Sequence, residues 1–254
     1  MATLKETLAK KIQEHRPRTT RLVKEFGDVK LGDVTVSQAI GGARGIKCLV
    51  TDISYLDPME GIRFRGKTIP ETFAALPKVP GSDYPYVEGF WWMLLTGDVP
   101  TMEQTLEVVA DWKTRSQLPQ YVIDVLRAMP RDSHPMAMFS AGIVAMQRES
   151  VFASNYAAGK FNKMTCWEDM YEDANNLMAR LAPLGAYIYR MKYKSDVHIP
   201  ADPNLDMGGN FAHMIGQSDE YKDVARMYFI LHSDHESGNV SAHATHLVAS
   251  ALSD

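Results

Sequence analysis

Cysteine is scarce: the 254 residues contain only Cys48 and Cys166. Two thiols so far apart exclude a disulfide framework and a cysteine-based zinc site, and they suit buried free thiols in a reducing compartment. A cationic excess is also missing. The chain has 27 Lys and Arg against 31 Asp and Glu, a net charge of −4 and a pI near 6.1, so neither nucleic acid nor an anionic membrane is an expected partner. Long apolar runs are absent as well. The uncharged stretches Ser133 to Gln147 and Ser237 to Ser253 contain His and Ser and fall short of the ~20 apolar residues of a membrane span. The first residues, Met-Ala-Thr-Leu-Lys-Glu-Thr-Leu-Ala-Lys-Lys, have no apolar segment, and Glu6 and Glu14 do not suit an acid-poor transit peptide. What is present is ordinary globular composition, 45% hydrophobic and 23% charged, enough for one large domain or two small ones.

The first 27 residues are strongly charged, and Leu4, Leu8 and Ile12 recur every fourth position, which predicts a peripheral helix with one apolar stripe. Residues 1–28 are read as a helical arm and 29–254 as a domain. Between Val29 and Ile69 the β-prone runs Val34-Thr-Val and Cys48-Leu-Val-Thr-Asp-Ile, punctuated by Gly41-Gly42, Asp57-Pro58 and Glu60-Gly61, predict a small β-hairpin region. Helix signals dominate after Ser82. Thr101 followed by Gln104 is a capping-box spacing, and Leu106, Val109 and Ala110 are expected to form the buried stripe of the helix it starts. Further helices are predicted at Ser82 to Thr96, stopped by Gly97, and at Pro119 to Met129, Pro135 to Gln147, Thr165 to Leu181, Leu184 to Lys194, Asp219 to His232 and Ser241 to Ser253. The expected fold class is therefore all-α (mainly α), with a small N-terminal β-hairpin region. The helix from Pro135 is apolar on nearly every side, so it should be buried in a core or between subunits. At the other end, Ala242 to Ser253 is still helix-like and Asp254 follows without a glycine cap, which reads as a chain cut short.

Four of the eight histidines fall in His232-Ser-Asp-His235-Glu-Ser-Gly-Asn239-Val-Ser241-Ala-His243-Ala-Thr-His246. Two His-x-x-His pairs could ligate a metal, since residues three apart share a helix face. Neither pair has the i, i+4 spacing with an adjacent Glu of a metalloprotease helix. An anion site is the second reading: Gly238 turns the backbone and a helix starting near Ser241 points amide donors at a carboxylate. His243 and His246 are otherwise read as satisfied core histidines, whereas His235, in the loop between helices, remains a candidate. In Gly41-Gly-Ala-Arg44-Gly45, backbone amides and a guanidinium could meet a phosphate together, although a solvated hairpin arginine has the same pattern. The arginines of Glu60-Gly-Ile-Arg63-Phe-Arg65-Gly66 could simply pair with acids.

Those segments carry a family resemblance. Glu60-Gly-Ile-Arg-Phe-Arg-Gly66, Ile69-Pro-Glu71, Glu88-Gly-Phe-Trp-Trp-Met-Leu-Leu-Thr-Gly97, His134-Pro-Met136 and His232-Ser-Asp-His-Glu-Ser-Gly-Asn-Val-Ser-Ala-His243 resemble, in order, citrate synthases of the mitochondrial type, from near residue 29 to the last residue. The resemblance implies an all-α homodimer that condenses acetyl-CoA with oxaloacetate and uses no metal or cofactor, in a bacterial cytoplasm or, alternatively, a mitochondrial matrix. It implies that His235 contacts oxaloacetate, that Asn239 and Ser241 belong to the neighbouring backbone that steadies the acid/base histidine, and that Arg44 approaches a CoA phosphate. A further CoA-contacting base is expected where Asn162 stands between Lys160 and Lys163, and Lys163 is the candidate for it. The family continues past the position matching Asp254, through a small domain and back into the large one. Its enolising histidine, catalytic Asp and oxaloacetate-binding arginines would lie there, so the chain is expected to be inactive alone. The rivals are a 2-methylcitrate synthase-like condensing enzyme and a non-catalytic dimerisation module of the same fold.

Overall fold

The structure, a computed structural model, describes residues 2–42, 45–46, 50–235, 244–245, 247–249 and 251. Helix α1 (Leu4–Phe26) starts at a capping box in which Thr3 and Glu6 each satisfy the other's backbone N–H, and of its residues only Leu4 is fully buried. The arm is peripheral, as its apolar spacing predicts. The stretch read as a first β-run behaves differently. Thr35 and Gln38 form a second capping box, so Val34-Thr-Val opens the short helix α2 (Val36–Ile40) instead of a strand. Local hydrogen bonding to a threonine overrides β-propensity there.

The expected hairpin lies further on. Strands β1 (Ser54–Asp57), β2 (Gly61–Phe64) and β3 (Lys67–Thr68) form an antiparallel sheet in the order β1-β2-β3, with Ser54 opposite Phe64 and Arg63 opposite Thr68. Asp57 Oδ1 accepts the amides of Met59 and Glu60 at 2.7 and 2.9 Å to close the first turn. The second is a two-residue turn with positive φ at Arg65 (48°) and Gly66 (81°), the primed geometry that matches strand twist.

Helices build the rest: α3 (Ile69–Ala75), α4 (Val87–Thr96), α5 (Met102–Arg115), α6 (Gln120–Ala128), α7 (Pro135–Met146), α8 (Val151–Ala157), α9 (Cys166–Tyr193), α10 (Met207–Ile215) and α11 (Glu220–Leu231). Four expectations need correction. Helix α4 begins at Val87, not Ser82, because Tyr86 N donates to Pro77 O and holds the preceding residues in a turn. Helix α5 has its predicted Thr101–Gln104 cap, yet it buries Thr105, Val108, Val109 and Trp112 while Leu106 and Ala110 face solvent. Its face is set by the fit to α4, where Gly89 lets Thr105 approach so closely that an added Cβ would lie 3.0 Å from its hydroxyl. Helix α9 runs unbroken through Pro183, since Ala179, Ala182, Leu184 and Ala186 pack on both sides of the missing N–H. Helices α3, α8 and α10 are further elements not anticipated, the signal of α10 being diluted by Gly208 and Gly209. These glycines are required because a Cβ at Gly208 would come 2.7 Å from Arg226 Cγ. The expected helix from Ser241 to Ser253 falls largely outside the described residues, as does Cys48, while Cys166 is a buried free thiol.

Candidate functional site

Helix α11 ends at the histidine-rich run. His232 caps it, with its ring stacked 4.0 Å from that of Tyr228 and Nδ1 3.0 Å from Tyr228 O, and Ser233 Oγ donates to Ile230 O at 2.7 Å. These bonds hold the first residues after the helix, and His235 follows half-buried. His232 and Ser233 close one end of an apolar groove of about 600 Å³, walled by Phe90 and Leu94 of α4, Met136 and Phe139 of α7, Tyr189 of α9 and Phe229 of α11. Asn239, Ser241, His243, His246 and Arg44 lie outside the described residues.

Lys163 stands on the exposed turn between α8 and α9, away from this groove. Asn162, where a base was expected, spends its side chain locally on the exposed turn: Oδ1 accepts from Met164 N at 2.9 Å. Arg16 of α1 donates to Met164 O at 2.6 Å and ties the arm to the same turn. The hairpin arginines pair with acids, as one reading had it. Arg63 Nη2 meets Glu60 Oε2 at 2.7 Å, and Arg65 Nη1 meets Asp52 Oδ1 at 2.7 Å. Arg65 also donates to Leu94 O, 3.0 Å from Nε, and so caps the C-terminus of α4 with a cation. Among the described residues no group of three His, Cys, Asp or Glu side chains is placed to hold a metal.

Sequence reading overlooked a buried acid. Glu88, in the first turn of α4, is 1% exposed, and its Oε1 accepts Met207 N at 2.8 Å. A carboxylate from α4 therefore caps α10. Asp206, at the cap position itself, cannot do so because Arg226 holds both its oxygens, Nε at 3.0 Å and Nη2 at 2.6 Å. Arg226 in turn reaches Asp223 at 2.6 Å, and Ser82 Oγ donates to that same carboxylate. Burial above all, then repulsion from Asp206, raises the Glu88 pKa to about 7. Its Oε2 has no hydrogen-bond partner among the described residues, and Glu88 lines a cavity of about 40 Å³ together with Lys113, Ser116 and Asn210. One signal was visible in the sequence: a lone charge inside the apolar run Val87 to Leu95.

Comparison with known proteins places this geometry. The family profile described as "Citrate synthase, C-terminal domain" matches residues 42–254. The chain is 45% identical over 253 residues to "Citrate synthase, mitochondrial" of Aspergillus niger, covering 99% of this chain and 53% of that protein. It is 46% identical over 252 residues to "Citrate synthase 4, mitochondrial" of Arabidopsis thaliana, with the same two coverages. The chain thus spans about half the length of the curated relatives it matches. The crystal structure of citrate synthase from Pyrobaculum aerophilum aligns with a TM-score of 0.72 at 24% identity, covering 89% of this chain and 55% of that one. Citrate synthase of Thermoplasma acidophilum, in ternary complex with carboxymethyl coenzyme A and oxaloacetate, aligns at 0.67 and 22% identity, covering 87% and 53%. These structural likenesses concern the fold.

Proposed function

Because this chain belongs to the citrate synthase family, we propose that its fold serves the condensation of acetyl-CoA with oxaloacetate and water to give citrate and CoA. The observation that carries this reading is the identity of 45–46% to mitochondrial citrate synthases across 99% of the chain. The family uses no metal or cofactor, so the chemistry falls to side chains. In this reading His235, just past the end of α11, donates to an oxaloacetate oxygen, and Asn239 and Ser241 belong to the backbone that steadies the acid/base histidine. Arg44 and Lys163 hold CoA phosphate by charge. Residues 1–28 act as an N-terminal arm, and 29–254 contribute part of the large domain. Two copies pair through α7, whose Met136 and Val144 are 60% and 73% exposed on a helix with almost no polar face. The compartment is one where acetyl-CoA is made, a bacterial cytoplasm or a mitochondrial matrix.

The methyl proton of the thioester must leave to a positioned base while the enolate oxygen is stabilised. In this reading the groups that do this belong to the part of the relatives that the chain does not span, so the 254 residues alone should release no thiol from acetyl-CoA in the presence of oxaloacetate. Mixing them with the separately expressed second half of a 45%-identical relative should restore oxaloacetate-dependent thiol release. Robust turnover by the chain alone would refute this assignment of roles, and propionyl-CoA outpacing acetyl-CoA in the mixture would move the reading to 2-methylcitrate formation.

A further inference from the structure

Helix α1 and the hairpin enclose a second cleft, polar and of about 560 Å³. Lys11, His15 and Arg18 follow one another at helical spacing along one face of α1, and Arg63 and Arg65 face them from the hairpin. Two of these cations are committed. Arg65 is held by Asp52 and Leu94 O, and Lys11 by Asp98 at 2.7 Å. Arg18 is not, because it approaches Asp52 only at 3.6 Å and leaves 66% of its side chain exposed. Arg63 spends three N–H bonds on Glu60 and Gly66 O, and a guanidinium has five.

A second, independent observation points to a ligand. Ser54 lines the same cleft, its residue is 6% exposed, and its buried hydroxyl has no hydrogen-bond partner among the described residues. A buried hydroxyl in that state needs an acceptor or donor to complete it. Four cations against Asp52 and Asp98 favour an anion. The surroundings sharpen the contrast: α1 carries seven Lys and Arg against three Glu, so the net charge of −4 divides into +4 on this helix and −8 on the rest of the chain.

We propose that this cleft binds a small phosphomonoester. The phosphate is taken by the open donors of Arg18 and Arg63 with the Ser54 hydroxyl beside them, more donors than the two oxygens of a carboxylate use and enough for the three of a phosphomonoester. The cleft volume is that of a site for an organic ligand, larger than a bare phosphate fills, and the exposed ring of Tyr55 on its wall offers the organic part an apolar surface. None of these residues is assigned to acetyl-CoA or oxaloacetate above, so the proposal stands or falls separately from that reading.

Calorimetric titration of the 254-residue chain with inorganic phosphate, ribose 5-phosphate and ribose tests it. Both phosphates should bind, ribose 5-phosphate more tightly, and ribose should give no heat. Arg18→Gln should weaken ribose 5-phosphate about tenfold, and Ser54→Ala should weaken it with the circular dichroism spectrum unchanged. Arg18 is a surface side chain, so its variant keeps the test decisive even if Ser54→Ala unfolds. Absence of phosphate binding at millimolar concentration, wild-type affinity in Arg18→Gln, or ribose binding as well as its phosphate would each overturn the proposal. So would displacement of ribose 5-phosphate by CoA at comparable concentration, which would merge the cleft with the CoA contact.

Discussion

At the scale of single residues, Glu88 is the group whose behaviour follows most directly from its surroundings. An unfolded glutamate titrates near 4.3, whereas burial and Asp206 hold Glu88 at about 7 in the folded chain. Between those values the folded state binds the extra proton, so this residue's contribution to stability is greatest below about pH 4.3, falls as pH rises, and levels off above about 7. Glu88→Gln keeps an acceptor for Met207 N and removes the titration. Its stability relative to wild type should therefore rise with pH across that window, by about 3 kcal/mol at the top, as read from urea midpoints at pH 5 and 8; parallel pH profiles for the two proteins would contradict it. His235→Ala, in the mixture with the complementary half, should raise the oxaloacetate KM with a smaller effect on the acetyl-CoA KM, since a donor to the keto acid is lost. Residues are legible in sequence when their partners are local. Arg63 was read as pairing with an acid, and Glu60 lies three positions away. Glu88 was passed over because its partner Met207 lies 119 positions along the chain, and only the fold brings the two together.

At the scale of elements, the packing of α7 against α9 depends on Gly142. A Cβ there would lie 2.8 Å from Leu184 Cδ1, and Leu184 is fully buried. Gly142→Ala gains up to about 1 kcal/mol of helix propensity, but it forces Leu184 off its position. Overpacking of this kind typically costs about 1–3 kcal/mol, so the variant should melt lower, and a Gly142→Ala melting temperature above wild type would rule out the tight contact. The same pair shows what was readable at this scale. The Thr101–Gln104 box announced α5 correctly because a cap acts within four residues. The Thr35–Gln38 box was missed because β-branched neighbours suggested a strand, and Pro183 was read as a helix end because the packing that carries α9 across it comes from other helices. The hairpin itself was legible in Asp57-Pro58 and Glu60-Gly61, turn residues that do in the structure what their chemistry suggests.

At the scale of the whole molecule, the helical class and the family were legible, since apolar periodicity and ordered motifs survive without coordinates. The apolar surface left open was only partly so. The all-round apolar character of α7 predicted a covering partner, whereas the groove between α4, α7, α9 and α11 needed the fold to appear. Sedimentation should find two copies associated at micromolar concentration, over an interface above about 2,000 Å², and a soluble monomer there would sink the dimer. The division of charge has a different outcome, an electrical one. With +4 gathered on α1 and −8 elsewhere, the folded chain is a dipole with one cationic pole, and Lys10 and Arg21 at that pole are 78% and 75% exposed. Such a molecule adsorbs by orientation rather than by net charge. At pH 7.5 and low salt it should be retained on a cation-exchange resin despite its acidic pI, elute early as salt shortens the screening length below about 10 Å, and pass straight through once Lys10 and Arg21 are both changed to Glu.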